Sequence, residues 1–382
     1  MQNIYKVPLD EQEKLIKSLS ERHDAESERI KRYLAMPDLS RTKGSPINEI
    51  VQRILNIPEM ANLDIIEDPE VVPANASFDL FDFPKDHPTR SKSDTYYVND
   101  ENILRTHTTI MWYYYTQLEE IKNKIKKGES VGCLSYGKVY RKDEIDRHHM
   151  NVFHQIDGWY LCRKDERIIN PEDLQNVLIE IAQAVFGQEV KYRFNEDTFP
   201  FTTPSLEMEI EKDGKWVEIL GSGIVKAKVL DNLGIDSKVY NGWAFGFGLE
   251  RLALASMELP DIRLLWSTDE RVKKQLILGN KYKEVSKFPP VVRDISFVVN
   301  KDFIPNNYFD AIRDVGGDLI EEVELLDKYE NAQKFGEGKM SYTFRITYRD
   351  INKTLTNAEV NSLHAKIEEF TTKDFGGIIR VA

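Results

Sequence analysis

Five stretches of this 382-residue chain carry residue types that core packing does not require. The first runs Ser77-Phe-Asp-Leu-Phe-Asp-Phe-Pro-Lys-Asp-His-Pro-Thr-Arg90 and resumes at Leu104-Arg-Thr-His-Thr-Thr109. The second runs from Gly137 to His149 and on through Val152-Phe-His-Gln-Ile-Asp-Gly158. It reads as strand, charged loop, strand. On the returning strand a period of two puts Phe153, Gln155 and Asp157 on a common face. An aromatic, an amide and a carboxylate in a row suit a ligand platform, the plainer alternative being an exposed sheet face. The third stretch, Thr198-Phe-Pro-Phe-Thr-Thr-Pro-Ser205, sets Phe199 and Phe201 around a proline. The fourth, Lys215-Trp-Val-Glu-Ile-Leu-Gly-Ser-Gly223, places Val217 and Ile219 on one face and Glu218 opposite. That carboxylate suits a ribose or a magnesium ion, or is simply an exposed glutamate on an amphipathic strand. The fifth is Gly242-Trp-Ala-Phe-Gly-Phe-Gly-Leu-Glu-Arg-Leu-Ala253. Its glycines let backbone approach a ligand, and Arg251 falls in the first turn of an expected helix.

Three regions must position these stretches: a charge-rich helical extension over 1–45, an alternation of helix and strand signals over 46–286, and a compact unit over 287–382. In the last, Ile295, Phe297 and Val299 share a strand face, Asn306–Val315 reads as a helix, and Ile320–Tyr329 reads as a strand. In Ser341–Arg349, Tyr342, Phe344, Ile346 and Tyr348 share one face while Arg345 and Arg349 take the other. Thr356-Asn-Ala-Glu359 is a capping-box signature that opens a second helix, and Ile378–Val381 reads as a closing strand. The order βαββαβ predicts a ferredoxin-like sandwich with one sheet face free.

Composition sets the outer bounds. The chain is 41% hydrophobic and 30% charged, without an apolar run long enough to span a membrane. Two cysteines, Cys133 and Cys162, lack metal-ligand spacing and suit a reducing compartment. A net charge of −12 leaves any nucleic-acid contact to local patches. The amino terminus has neither a signal peptide's apolar stretch nor a transit peptide's basic composition, so a cytoplasmic setting is expected.

Taken in order, the Phe-Asp-x-x-x-x-Pro-x-Asp-His-Pro-x-Arg, Arg-Thr-His-Thr, Val-Tyr-Arg…Phe-His-Gln, Phe-Pro-Phe-Thr and Ala-Phe-Gly-x-Gly-x-Glu-Arg-Leu segments resemble the signature motifs of class II aminoacyl-tRNA synthetases. The version is that of the phenylalanine enzymes. Pro260-Asp-Ile-Arg-Leu-Leu-Trp266 and the Gly316–Asp327 segment resemble the single-chain, mitochondrial type. The likeness spans about 46–382 and implies an α+β fold: a class II antiparallel sheet flanked by helices, then a ferredoxin-fold anticodon-binding domain. Pro46–Leu55 takes the place of the first motif's helix.

The function implied is activation of L-phenylalanine with ATP and Mg2+, then transfer to tRNA-Phe. No second subunit and no editing domain are implied, and the single-chain type resembled is typically monomeric. By this resemblance Arg141 holds the α-phosphate and the carboxylate, and Arg251 the γ-phosphate end. His149 and His148 support the triphosphate, Asp143 meets adenine or orders the loop, Phe153 stacks on adenine, and Glu218 binds metal or ribose. His107, Thr109, Gln155 and Asp157 would hold the amino acid's ammonium and carboxylate. Phe199, Phe201, Ala244 and Phe245 would enclose its ring, with Gly221 and Gly223 in the wall.

Departures from the family's pattern are specific. Asp157 stands for a glutamate, Thr109 for a serine, Trp112 for a glutamine, and Thr203 for a metal-binding glutamate of the two-subunit enzymes. An RNA- or amino-acid-binding paralogue, or a synthetase for a larger amino acid, are the competing readings. Candidates for tRNA contact are Lys339, Arg345, Arg349 and Lys353. Residues 287–382 hold 13 Lys/Arg against 16 Asp/Glu, so few phosphates should be neutralised on binding. The expected log–log slope of tRNA affinity against salt is therefore shallow, corresponding to about four phosphates or fewer. Filter binding from low to high salt measures it, and a steep slope would contradict it.

Overall fold

A computed structural model describes residues 2–285 and 288–380. Two compact units share the chain: 1–141, 152–259 and 276–281 form the first, and 142–151, 260–275 and 282–382 the second. The strands of the first unit are β1 (Ile4–Lys6), β2 (Asp64–Glu67), β3 (Val71–Pro73), β4 (Asn102–Leu104), β5 (Val131–Tyr140), β6 (Val152–Arg163), β7 (Tyr192–Asp197), β8 (Thr202–Lys212), β9 (Lys215–Val225) and β10 (Tyr240–Gly248). Its helices are α1 (Asp10–Ser20), α2 (Ala25–Ala35), α3 (Pro46–Leu55), α4 (Ala74–Phe78), α5 (Met111–Gln117), α6 (Glu119–Lys126), α7 (Pro171–Phe186), α8 (Ala227–Asn232) and α9 (Leu249–Met257).

Eight of these strands form one sheet in the order β1-β2-β5-β6-β10-β9-β8-β7. It is antiparallel from β5 onward, with a parallel edge where β1 and β2 join β5. The edge strand β1 lies within the stretch whose sequence pattern predicted helices alone. The expected helix at Pro46–Leu55 is α3, and its start has a physical reason. Ser45 accepts the Ile47 N–H at 3.2 Å, and Pro46 sits where a helix needs no donor. Its apolar face, Ile47, Ile50, Val51 and Ile54, is completely buried.

Cross-strand register decides what each sheet face carries. Ser135, Asp157, Gly246 and Gly221 lie directly opposite one another across β5, β6, β10 and β9. Cys133, Trp159, Ala244 and Gly223 form the next row on the same face. Small residues keep the centre of that face low, a trough in which Phe199, Thr202 and Asp157 lie against Gly221, Gly223 and Gly246. Gly246 has little choice, because a Cβ there would lie 2.7 Å from Asp157 Oδ1. Both cysteines are buried free thiols.

The second unit contains β11 (Val291–Asn300), β12 (Ile320–Tyr329), β13 (Lys339–Tyr348) and β14 (Ile378–Ile379), with α10 (Glu270–Lys273), α11 (Pro305–Gly316), α12 (Ala332–Phe335) and α13 (Asn357–Lys373). Sheet order β12-β13-β11-β14 and the succession of elements give the ferredoxin fold that was expected. Tyr342, Phe344, Ile346 and Tyr348 are buried against Phe297, Tyr308 and Ile367. Thr356 and Glu359 form the reciprocal capping box at α13. Of the closing strand read as Ile378–Val381, Val381 lies outside the described residues.

Candidate active site

Asp157 is the most constrained polar group on the trough. It is 4% exposed, and its two oxygens accept the hydroxyls of Thr108 at 2.6 Å and Thr109 at 2.5 Å. Those threonines begin the 3-10 turn Thr108–Ile110 ahead of α5. The turn is pinned upstream by Arg105, whose Nη1 lies 2.8 Å from Asp68 Oδ2 and whose Nε donates to the Lys138 carbonyl at 2.8 Å. Burial, the largest influence, pushes the Asp157 carboxyl from an ordinary 3.8 up to about 6, against the threonine hydroxyls and the Arg141 charge, which favour the anion. His107 is driven the other way. Burial, then Arg141 and Arg105, lower it from 6.5 to about 3, so the ring is neutral at working pH. Neither His107 ring nitrogen has a hydrogen-bond partner, although the Ser77 backbone is close enough to be felt. Gln155 Oε1 is likewise buried without one. Three unsatisfied polar atoms beside a buried carboxylate make a site that a polar ligand would complete.

Beside these groups lies an aromatic enclosure. Phe201 sits 6.0 Å from Phe199 in a stacked arrangement and 6.2 Å from each of Phe81, Phe83 and Trp112. His107 stacks on Phe83 at 6.0 Å and meets Phe81 edge-on at 5.9 Å. The Phe199 ring covers Gly221, where a Cβ would lie 2.6 Å from its Cζ. Lys226 fixes the loop that carries both phenylalanines. Its Nζ donates to the Phe199 and Pro200 carbonyls at 3.2 and 2.6 Å, and its N–H to Phe201 O at 3.1 Å. Ala244 is on this face, in the row with Gly223 and Trp159. Phe245 is not. Adjacent strand residues point to opposite faces, and Phe245 stacks behind the sheet on Trp243 and Phe247 at 5.7 Å each.

At the far end of the same strands, the Arg141 guanidinium lies 5.3 Å from the Phe153 ring centroid, and its Nε donates to Thr106 O at 2.9 Å. Phe153 lies next to Gly248, the residue that caps α9, and Arg251 follows in the first turn of that helix. Arg251 Nη1 pairs with Glu218 Oε1 at 2.9 Å. The sequence pattern put Ile219 with Val217, opposite Glu218. A bulge at Ile219 pairs Glu218 with Glu209 while Leu220 stays opposite Met208, so Glu218 joins the face of Gly221. Trp112 is stacked on Trp159 at 5.0 Å and fully buried, a packing position, and Thr203 is exposed.

Asp143, His148 and His149 lie in the 142–151 segment, which belongs to the second unit. Asp146 orders the two histidines, accepting both their N–H groups on Oδ1, at 2.6 and 2.7 Å, and meeting His149 Nδ1 at 2.7 Å through Oδ2. In the same unit Arg345 is doubly bonded to Asp294 at 2.8 Å, and Arg349 Nε donates to Glu321 at 2.5 Å. Lys339 reaches Asn300 at 2.6 Å, and Lys353 pairs with Glu359.

Sequence reasoning gave no role to Thr108, Phe81, Phe83, Arg105 or Lys226. The first four stood inside or beside motifs already singled out, but only the fold shows which of their side chains converge.

Residues 32–276 match the profile of the class II tRNA synthetase core domain (F), and residues 286–380 that of the ferredoxin-fold anticodon binding domain. This chain belongs to the phenylalanine–tRNA ligase family of class II synthetases. The chloroplastic/mitochondrial phenylalanine–tRNA ligase of Arabidopsis thaliana is 39% identical over 314 residues, covering 79% of this chain and 70% of the relative. The mitochondrial enzyme of Mus musculus is 35% identical, covering 81% of this chain and 73% of the relative. A probable mitochondrial enzyme of Drosophila melanogaster is also 35% identical, covering 81% and 77%. These relatives correct the expected cytoplasmic setting, since they are named as organellar enzymes. The short acidic amino terminus behind that expectation reports on a few residues, whereas the likeness runs through about four-fifths of the chain. No helix among the described residues is long and apolar enough to cross a membrane.

Three outcomes follow from the trough. A protonated Asp157 offers no counter-charge to an ammonium group, so amino-acid affinity should fall by up to about tenfold per pH unit below about pH 6 and level off above it. The raised carboxyl means that the native chain holds this proton more tightly than the unfolded one, so the residue's stabilising contribution is lost as pH rises from 3.8 through about 6. Asp157→Asn should therefore flatten the binding profile and raise the melting temperature at pH 7.5. Calorimetric titrations from pH 5 to 8 check the first, and an unchanged slope in the variant would contradict it. Ala244→Gly should admit para-substituted phenylalanines, checked by pyrophosphate exchange, with unchanged selectivity counting against this placement.

Proposed function

We propose that this chain activates L-phenylalanine with ATP and transfers it to tRNA-Phe at the trough of its first unit. One observation carries the reading: a buried, double-hydroxyl-bound Asp157 stands beside a wall of aromatic rings on a sheet face whose glycines let these side chains lie close to the backbone. That pairing matches an amino acid with a charged head and an apolar ring.

In this reading Asp157 takes the ammonium. His107, neutral and unsatisfied, and Gln155 and Thr109 position the head group. Phe199, Phe201 and Ala244 enclose the ring, with Phe81 closing one side and Gly221 and Gly223 in the wall. Rings meeting a ring edge-on or offset favour benzyl over aliphatic side chains. The phenylalanine carboxylate attacks the α-phosphorus of ATP, forming the acyl-phosphate bond while the bond to the β-phosphate breaks and pyrophosphate leaves. Arg141 stabilises the charge on the α-phosphate, and Arg251, freed from Glu218, neutralises the far phosphates. Adenine stacks on Phe153. The ribose hydroxyl at the tRNA 3′ end then attacks the acyl carbon, and AMP departs.

Among the described residues no three acidic, imidazole or thiol groups gather as a metal site. Glu218 faces Glu209 across the ladder, and with Glu209 held by Arg193 it offers one carboxylate, which fits a magnesium ion coordinated mainly by triphosphate oxygens and water. Such an ion would add positive charge where the phosphates repel the incoming carboxylate. Asp143, His148 and His149, which the family resemblance assigns to ATP, lie in the second unit. Lys339, Arg345, Arg349 and Lys353 meet tRNA after exchanging their present acidic or amide partners for phosphate.

ATP–pyrophosphate exchange with a panel of amino acids tests the reading. Phenylalanine should give the highest kcat/KM. Tyrosine should be activated about a hundredfold less efficiently, because an apolar wall rejects an added hydroxyl only weakly. Absence of exchange with phenylalanine would overturn the reading in favour of a binding paralogue, and a stronger response to a larger amino acid would redirect it.

A further inference from the structure

The face of the sheet turned away from Asp157 carries a second polar assembly that the chemistry above does not use. Lys138 and His154 are directly opposed on β5 and β6 and are 4% and 0% exposed. Lys138 Nζ donates to the carbonyls of Leu34 and Met36 at 2.9 and 2.8 Å, holding the end of α2. His154 Nε2 accepts the Leu39 N–H at 2.9 Å, with Asp38 Oδ1 3.4 Å away. A ring nitrogen that accepts a backbone N–H carries no proton. With Nε2 accepting, the donor of the ring is Nδ1, which meets Glu250 Oε1 at 2.6 Å. Glu250 is 3% exposed and takes the His154 backbone N–H as well, at 3.0 and 2.8 Å. It stands in the first turn of α9, immediately before Arg251.

We infer that His154 is a positioning residue for Arg251, acting through Glu250. The imidazole has two distinct faces. One is tied to the backbone at Leu39, and the other fixes the buried carboxylate that sets the rotation of the first turn of α9. Arg251 leaves that turn toward Glu218, on the trough side. Turning or shifting the turn moves the guanidinium, while Asp157 and the aromatic wall, carried by other elements, stay in place. The assembly therefore bears on ATP binding and leaves amino-acid binding unchanged. This inference rests on the proposed role of Arg251 at the triphosphate.

Two isosteres separate the two faces of the ring. In His154→Asn the side-chain amide nitrogen replaces Nδ1 and keeps the donor to Glu250. In His154→Gln the amide oxygen replaces Nε2, keeps the acceptor for Leu39 and loses the donor to Glu250. Calorimetric titration of the full chain with ATP, and separately with L-phenylalanine, reads the outcome. The Gln variant should bind ATP about tenfold more weakly, the scale of one charge-assisted hydrogen bond, with phenylalanine binding within about twofold of wild type. The Asn variant should stay within about threefold on both. If the Gln variant fails to fold, Glu250→Gln should reproduce the ATP-selective loss. Equal losses for ATP and phenylalanine, or an Asn variant as impaired as the Gln one, would overturn the inference. Wild-type protein that binds ATP but no phenylalanine would sink the proposed substrate instead, leaving the ATP comparison between variants intact.

Discussion

A carboxylate with almost no exposure is costly to ionise unless its neighbours replace the water it has lost. Asp157 meets that condition at the centre of an eight-stranded sheet, and much of the surrounding structure answers to it. Two threonine hydroxyls supply hydrogen bonds. Gly246, across the ladder, is empty so that the carboxylate has somewhere to lie. Arg141 favours the anion electrostatically, and Arg105 is buried with Asp68 to hold the threonine turn in place. These interactions only partly offset the burial, and the carboxyl remains raised. In the proposed function a ligand ammonium supplies the charge that is missing.

The period of two along each strand divides the labour. One face of β6 carries Phe153, Gln155 and Asp157 toward the trough, while His154 between them turns back to the helix that bears Arg251. The proposed substrate contacts and the proposed framework for Arg251 are thus interleaved in one short segment. A sheet suits such work because its backbone is held on both sides, so a side chain placed on it keeps its position to within the freedom of its own rotamer.

What could be read from the sequence was what local rules determine. The alternation of residues 153, 155 and 157, the capping box at Thr356 and the helix at Pro46 depend on neighbours within a few positions, and the structure shows them as expected. What could not be read depends on distant partners. Glu218 changes faces because of a bulge that no local pattern announces. Ala244 and Phe245 are adjacent, so the period of two puts them on opposite faces, but only the ladder with Trp159, Gly158 and Gly223 decides that Ala244 is the one facing the trough. Phe81 and Phe83 join Phe201 across a separation of more than a hundred residues. The basic side chains of the closing unit looked free in sequence, but Arg345 is matched to Asp294 by strand register alone. The compartment was read from an amino terminus too short to carry that conclusion.

The most direct examination of this account is a crystal structure of the chain with a non-hydrolysable phenylalanyl-adenylate. The account predicts the benzyl group between Phe199, Phe201 and Ala244, the ammonium within hydrogen-bonding distance of Asp157, and the adenine against Phe153 with Arg141 at the phosphorus. An analogue bound elsewhere, or one whose ammonium faces solvent while Asp157 keeps only its two threonines, would contradict it.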